Sequence, residues 1–371
     1  MKTLAIETSC DDTSLGIIND ENWVFSVEKL IAYSQIKEHN QFWGVLPEIA
    51  SRLHSEKIVK LILEIGKKEI EKVDFISVTT HPWLPGSLIV GKAAAKLLQS
   101  YFNKPLKAIH HVHGHLFSLL LERKKEDLTF PMVVLTASWG HNDIYLVTNK
   151  ICPLFWKEGD QEVAEDLNTW SQKNPSSKTV SSLNSFMSEN TEQVGPFSIT
   201  KIWYTLDDAA GEAFDKVSKM LGGPYPWGPW ISEQALKGKE NEAFHFKRIF
   251  LPLKDEQFFE FSFSGMKSQV SFLLDKLEKE GKNLTEQDIS DLAFEFQEAM
   301  VETLGKRLLK AAKMYGATTI GMTGGVSANQ RLIDYLQTEI EKTPWIQFLY
   351  PKKKVYSTDN AAMIGVVGLL S

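Results

Sequence analysis

The order of apolar runs and polar turns predicts strands and helices in alternation. Residues Thr3–Glu7 have the pattern of a strand, Thr8–Ser14 of a polar turn, and Leu15–Ile18 of a returning strand, which together predict a hairpin. Residues Leu53–Lys68 show helical spacing of apolar positions. The other predicted elements are strand Phe75–Val78, helix Leu88–Phe102, strands Met132–Thr136 and Asp143–Val147, helix Asp288–Tyr315, strand Thr319–Met322 and a helix from Ser327. Strands that alternate with helices predict an α/β fold.

The length of 371 residues allows two domains. We expect an N-terminal α/β lobe over residues 1–125, on which the C-terminal helix 360–371 packs back, and a second α/β lobe over 126–359. A polar stretch rich in Ser and Asn predicts a surface insertion at about 157–200.

Composition and charge exclude some classes of function. The net charge of −6 argues against a chain that wraps nucleic acid unaided. Two cysteines, Cys10 and Cys152, do not make a disulfide framework. Because Glu7 interrupts the N-terminal apolar run and no run reaches the roughly 18 residues of a membrane span, we predict a cytoplasmic protein.

The run His110–His115 contains four histidines and is a candidate metal site. In a helix, His111 and His115 would share one face, the spacing used by His-Glu-x-x-His metalloproteases. Val112 replaces the Glu of that motif, so the general base of those proteases is missing. Asp359 is the candidate third ligand. The alternatives are a solvated, His-rich helix start and a helix N-cap at Asp359.

Glycine-rich and acidic turns suggest nucleotide binding. Thr323–Ser327 lies between a predicted strand and helix, where free N–H groups suit an anion; the alternative is a tight turn. Ser138–His141 follows a strand, and Pro226–Pro229 is a rigid turn. The carboxylates of Asp207–Lys216 suit ribose hydroxyls, or else ordinary electrostatics at a helix start.

Taken together, these motifs resemble the tRNA adenosine threonylcarbamoyltransferase family of the bacterial TsaD type. The matching runs, in the order of the family, are Ile6–Thr13, Pro47–His54, His110–His115, Thr205–Lys216, Phe263–Lys267, Gly324–Asn329 and Ser357–Asn360. The resemblance implies a two-lobe α/β fold of the actin/Hsp70/sugar-kinase (ASKHA) type with the active site in the interlobe cleft.

The resemblance also implies the reaction. A threonylcarbamoyl group would pass from threonylcarbamoyl-AMP to the N6 amine of the adenosine 3′ of the anticodon, in tRNAs that read codons starting with A. The implied cofactor is one divalent ion, Fe2+ or Zn2+, on His111, His115 and Asp359, with Asp11 as an acidic residue of the catalytic cleft. The implied partners are tRNA, a paralogous inactive subunit of the TsaB type and a small ATPase of the TsaE type, with no membrane. The implied adenylate-binding positions are Thr136, Ala137, Ser138, Trp139, Gly140, Asp215, Gly228 and Asn329.

Tryptophans mark the main departures from the family. The family has Gly where this chain has Trp83, Trp139 and Trp227, and Trp43 belongs with them. An indole cannot replace hydrogen where backbone touches a ligand. Our hypothesis is that these codons are UGA, read as Gly by the organism. The rival is that they are true Trp residues of a remodelled or inactive site.

Three other functions compete with the acyltransferase. A sugar kinase or ATPase on the same fold would not need the pair His111 and His115. A zinc protease would need Glu in place of Val112. A non-catalytic or remodelled member of the family is favoured if the tryptophans are true.

Overall fold

A computed structural model describes residues 1–40, 42, 44–140, 142–149, 190–224, 227–246 and 260–371. Contacts between residues divide the chain into two compact units. The first comprises residues 1–128, 322–328 and 349–371, and the second comprises 129–321 and 329–348.

The first 128 residues build one sheet and the helices that cover it. Their elements are β1 (Lys2–Glu7), β2 (Asp12–Glu21), β3 (Val24–Ser34), α1 (Ile36–Asn40), α2 (Pro47–Ile65), α3 (Lys67–Glu71), β4 (Phe75–His81), α4 (Pro85–Phe102), β5 (Leu106–His110) and α5 (His111–Phe117). The strand order is β3-β2-β1-β4-β5. Strand β1 pairs antiparallel with β2 and parallel with β4, which puts the end of β1 in the middle of the sheet.

The remaining described strands form a second sheet. The remaining helices follow in the same part of the chain, and the last of them is the C-terminal helix. These elements are β6 (Met132–Ala137), β7 (Asn142–Asn149), β8 (Thr191–Val194), β9 (Phe197–Thr205), α6 (Ala210–Met220), α7 (Trp227–Ala235), β10 (Glu260–Phe261), α8 (Ser264–Lys279), α9 (Glu286–Met314), β11 (Thr319–Thr323), α10 (Gln330–Glu341), β12 (Gln347–Leu349) and α11 (Ala361–Leu370). The strand order is β10-β9-β7-β6-β11-β12, and β8 pairs with β9.

Apolar side chains hold the first sheet between helices. Leu4 and Ile6 of β1 are fully buried in a cluster with Leu61 of α2 and Leu98 of α4. Burying one such side chain contributes about 1.5–3 kcal/mol. Helix α11 also contacts β1 and β2, and its Gly365 lies against Ile18. The packing of α2 and α4 on the sheet, and of α11 on β1 and β2, fixes where β1 and α11 end.

Two predicted elements need correction. The returning strand of the hairpin begins at Asp12, inside the predicted polar turn, and continues to Glu21. The predicted helix from Ser327 is wrong, because Gly325–Ala328 forms a 3₁₀ turn and α10 begins at Gln330. Asn329 is the reason for the later start, since its side chain accepts a hydrogen bond from the Leu332 N–H at 3.2 Å and caps the helix.

The predicted surface insertion is also corrected at its C-terminal end. Residues 191–200 form β8 and the first part of β9, and β9 pairs with β7 through Val147 and Ile199. The rest of the predicted insertion, residues 157–189, lies outside the described residues. Within the described part of the chain, every helix is too short or too polar to cross a membrane.

Candidate metal centre and nucleotide-binding residues

Helix α5 places two histidines of the predicted metal site on one face. The His110 side chain accepts a hydrogen bond from the Val112 N–H at 3.2 Å and caps the helix. His111 and His115, one turn apart, are 2% and 1% exposed, and their rings meet edge to face with centroids 4.7 Å apart. The solvated, His-rich helix start is therefore wrong for these two residues.

Asp359 meets both histidines. Its Oδ1 lies 3.5 Å from His111 Nε2 and 3.0 Å from His115 Nε2, and the three ligand atoms all lie within 4.8 Å of one another. Bonds of about 2.0–2.1 Å to a tetrahedral ion put neighbouring donor atoms about 3.4 Å apart. The donor set therefore fits a divalent ion such as zinc. The N-cap of α11 is Asn360, which accepts from the Met363 N–H at 3.2 Å, so the N-cap alternative for Asp359 is wrong.

Carboxylates crowd this end of the first sheet. Burial and the charge of Asp359 raise the pKa of Asp11, which lies between β1 and β2. Burial, followed by the neighbouring Asp11 charge, raises the pKa of Asp12 to about 7. Burial lowers the pKa of His111, but the charges of Asp359 and Glu7 outweigh it, so that the pKa is raised overall. This excess of negative charge favours a bound cation.

Glu7 is the residue of this cluster that sequence reasoning missed. It ends β1, it is 0% exposed, and its Oε2 lies 3.3 Å from His111 Nδ1. The only sequence signal was a charged residue that closes an apolar strand.

In the second unit, β6 leads directly into the predicted adenylate-binding run. Thr136 and Ala137 are buried in the strand, whereas Trp139 is 53% exposed and Gly140 is exposed as well. The Ser138 carbonyl accepts a hydrogen bond from the Gly211 N–H at 3.2 Å. A Cβ at Gly211 would lie 2.7 Å from that carbonyl oxygen, so only glycine permits this approach.

Asp215 of α6 contacts two other predicted adenylate-binding residues. Burial raises its pKa to about 7, although hydrogen bonds from the Gly228 N–H and the Trp139 side chain act in the opposite direction. A Cβ at Gly228 would lie 3.5 Å from Asp215 Oδ1. The structure thus brings Trp139, Asp215 and Gly228 together.

Asn329 lies against the same helix as Gly228. Its Nδ2 donates to Ser232 Oγ at 3.1 Å and to Gln297 Oε1 at 3.0 Å. Ser232 follows Gly228 by one turn of α7.

The acidic pair before α6 has a structural role. Asp207 accepts hydrogen bonds from the Phe263 and Ser264 N–H groups at 2.8 and 3.2 Å, at the start of α8. Asp208 forms ion pairs with Lys216 and Lys267 at 2.8 and 2.7 Å. These contacts favour helix-start electrostatics over the ribose contacts considered from the sequence.

The glycine turn after β11 belongs to the first unit from Met322 onward. Gly324 has a φ of +85°, a conformation that favours glycine. The Thr323 and Ser327 hydroxyls are buried and have no hydrogen-bond partner among the described residues. Buried hydroxyls without partners are unfavourable, so this turn is suited to a polar ligand.

Trp83 bears on the tryptophan hypothesis. Its φ is +102°, which L side chains rarely adopt, and its ring lies edge to face with His111 at 6.1 Å between centroids. The indole therefore lies beside the candidate metal ligands. Trp227 begins α7, and Trp43 lies outside the described residues.

Solved structures of low sequence identity share this fold. The full-length HypF structure in the phosphate- and nucleotide-bound form aligns with a TM-score of 0.52 at 12% identity, covering 100% of this chain and 55% of that chain. HypF of T. kodakarensis aligns with a TM-score of 0.51 at 13% identity, covering 99% and 47%. The predicted fold class, an α/β protein of the actin/Hsp70/sugar-kinase type, is confirmed.

Sequence relatives identify the family. The family model for TsaD, tRNA N6-adenosine threonylcarbamoyltransferase, matches residues 26–182 and 190–366. The enzyme of that name from Syntrophomonas wolfei is 36% identical over 364 residues, covering 97% of this chain and 89% of that protein. Its Bacillus subtilis counterpart is 34% identical over 374 residues, covering 100% and 90%. The chain belongs to the tRNA N6-adenosine threonylcarbamoyltransferase family of tRNA-modifying transferases, as the resemblance implied.

Proposed function

We propose that this chain transfers a threonylcarbamoyl group from threonylcarbamoyl-AMP to the N6 amine of the adenosine 3′ of the anticodon, in tRNAs that read codons starting with A. The observation that carries the proposal is the convergence of His111, His115 and Asp359 in a member of this family. The proposed cofactor is Fe2+ or Zn2+.

The proposed chemistry is acyl transfer. The adenosine N6 attacks the carbamoyl carbon, an N–C bond forms, and the bond from that carbon to the phosphate oxygen breaks and releases AMP. Asp11 accepts the proton from the amine, a role that suits a carboxyl whose pKa is raised by burial and by Asp359. When bound, the metal ion supplies Lewis-acid stabilisation of the charge that develops on oxygen.

The proposed adenylate-binding residues are Thr136–Gly140, Asp215, Gly228 and Asn329. The support in the second unit is the contact of Asp215 with the Gly228 N–H, and of Asn329 with the next turn of α7. Backbone N–H groups near glycines suit phosphate oxygens, and side-chain amides and carboxyls suit ribose hydroxyls.

The direct test is transfer of labelled threonine to tRNA. The chain, both as given and with Gly at positions 43, 83, 139 and 227, is combined with metal, the adenylate-forming enzyme and candidate partner subunits. Mass spectrometry of the nucleosides should detect threonylcarbamoyladenosine. Absence of product from both chains would contradict the proposal.

A pair of variants tests the metal. His111→Ala should abolish metal binding and transfer together, because it removes one of three protein ligands. His113→Ala is the matched control on the same helix, and it should retain the metal because His113 stacks on His110 outside the triad. Full transfer by metal-free protein would exclude the Lewis-acid role.

We propose a paralogous inactive subunit of the TsaB type and a small ATPase of the TsaE type as partners. The support for the paralogous subunit is an exposed apolar stripe on α2 and α4, which pack side by side. The stripe comprises Val59, Leu63, Ile89, Leu97 and Tyr101, which are 57 to 75% exposed. The net charge of −6 supports a tRNA surface shared with other subunits.

A further inference from the structure

The two histidines of the candidate metal centre differ in their inner nitrogens. His111 Nδ1 lies 3.0 Å from Ser9 Oγ and 3.3 Å from Glu7 Oε2. His115 Nδ1 is buried and has no hydrogen-bond partner among the described residues. A partner on Nδ1 decides which tautomer a histidine adopts, so the chain controls the tautomer of His111 through its own side chains.

Glu7 is itself fixed in place. Its Oε1 accepts a hydrogen bond from the Ser9 N–H, and its Oε2 accepts one from the Thr79 hydroxyl of β4. Glu7, Ser9 and Thr79 are each 1% exposed or less. A buried carboxylate is costly unless it is hydrogen-bonded on several sides, and these contacts supply that compensation.

We propose that Glu7 is a positioning residue of the metal centre. Its carboxylate accepts the Nδ1–H of His111, which leaves the Nε2 lone pair facing Asp359 and the ion. An outer carboxylate of this kind orients the imidazole and makes it a stronger ligand, and its loss commonly weakens metal binding about 10–100-fold. The inference rests on the metal dependence proposed above.

The test measures metal binding without catalysis. The affinities of the wild-type chain and Glu7→Gln for Zn2+ alone are compared by chelator competition, and the absorption spectrum of the Co2+-loaded protein reports ligand geometry. Glu7→Gln should bind Zn2+ about 10–100-fold more weakly. Its Co2+ spectrum should change as well, because the amide does not hold the ring as the carboxylate does.

Thr3→Val is the matched control for a merely structural effect. Thr3 lies in the same strand, is fully buried, and hydrogen-bonds Ser77 of β4 at 2.9 Å, away from His111. Thr3→Val should therefore lower the free energy of unfolding but leave the Zn2+ affinity unchanged. Thr79→Val, which removes one support of Glu7, should weaken Zn2+ binding by a smaller factor than Glu7→Gln.

The outcomes separate this inference from the proposed function. If the wild-type chain binds no Zn2+ or Co2+, the metal-dependent function itself fails. If the wild-type chain binds the ion and folded Glu7→Gln binds it within a factor of about two, only the role of Glu7 is overturned. If Glu7→Gln does not fold, unchanged Zn2+ affinity in Thr79→Val overturns the role instead.

The turn between β2 and β3 carries a second, independent inference. Glu21 pairs with Val24, so Asn22 and Trp23 form a two-residue hairpin loop, with φ values of +53° and +68°. Such a loop needs positive φ at both positions, and its preferred sequence is Asn-Gly. Asn tolerates this conformation, but a large side chain in it costs about 1–2 kcal/mol.

We infer that position 23 is glycine in the native protein and is encoded by UGA, as the hypothesis holds for position 83. Both tryptophans have the positive φ that favours glycine. The test is the gene sequence together with peptide mass spectrometry of the protein from its own cells. UGA at codon 23 and a glycine-containing peptide would support the inference. A UGG codon, or tryptophan in the native peptide, would overturn it.

Discussion

Burial raises the pKa of the Asp215 carboxyl, and this shift predicts how the stability of the protein depends on pH. The Asp215 pKa is about 7 in the folded protein against 3.8 for an ordinary Asp. Between these values the folded state binds more protons than the unfolded state, so stability falls as pH rises from about 4 to 7. Asp215→Asn should remove this loss and stabilise the protein at pH 8 by about 1–2 kcal/mol, after allowance for solvent screening.

Urea unfolding of both proteins between pH 4 and 8 checks this expectation. The difference in free energy of unfolding should be small at pH 4 and grow towards pH 8. A constant difference across the range would show that Asp215 does not titrate as described. Because Asp215 is a proposed adenylate-binding residue, the measurement is made without ligand.

The sequence predicted those site residues that are close together along the chain or that belong to a recognisable motif. The four-residue spacing of His111 and His115 becomes one face as soon as the run is helical. Asp359 lies 244 positions beyond His115, and only the order of motifs indicated it. Glu7 was not predicted because its contact with His111 depends on the pairing of β1 with β4 and of β4 with β5, which no local pattern reveals.

Among the elements, α11 has a packing that leaves no room for a side chain at Gly365. A Cβ there would lie 2.6 to 2.9 Å from three atoms of Ile18, including its Cβ, which cannot move without the strand. Gly365→Ala should therefore destabilise the protein by about 1–3 kcal/mol, even though Ala favours helix. Because Asp359 is next to Asn360, the N-cap of α11, the shift of the helix should also weaken metal binding.

Thermal unfolding and Co2+ titration of Gly365→Ala measure the two effects. An unchanged melting temperature would show that the helix and the sheet relax without cost. A lower melting temperature with unchanged Co2+ affinity would show that Asp359 is positioned independently of α11.

The buried strand β4 and the long helix α9 were predicted from sequence, whereas several other elements were not. Strand Phe75–Val78 and helix Asp288–Tyr315 appear as β4 and α9. The capping box of Thr285 and Asp288 begins α9. Strand β3 was missed because most of its residues are only half-buried, so its pattern lacks a clear apolar face. Neither α8 nor the 3₁₀ turn before α10 was predicted either.

For the whole molecule, the apolar stripe on α2 and α4 gives a prediction about assembly. Leu97 is 68% exposed, so Leu97→Glu should leave the fold intact. It should weaken the free energy of binding of a complex that buries the stripe by about 1–3 kcal/mol.

Leu236→Glu is the matched control, since Leu236 is 86% exposed in the other unit. Sedimentation with the proposed paralogous subunit should show a complex for wild type and Leu236→Glu but a weakened one for Leu97→Glu. If Leu97→Glu instead abolishes self-association of this chain, the stripe joins two copies; equal binding by all three proteins would show that the partner uses another surface.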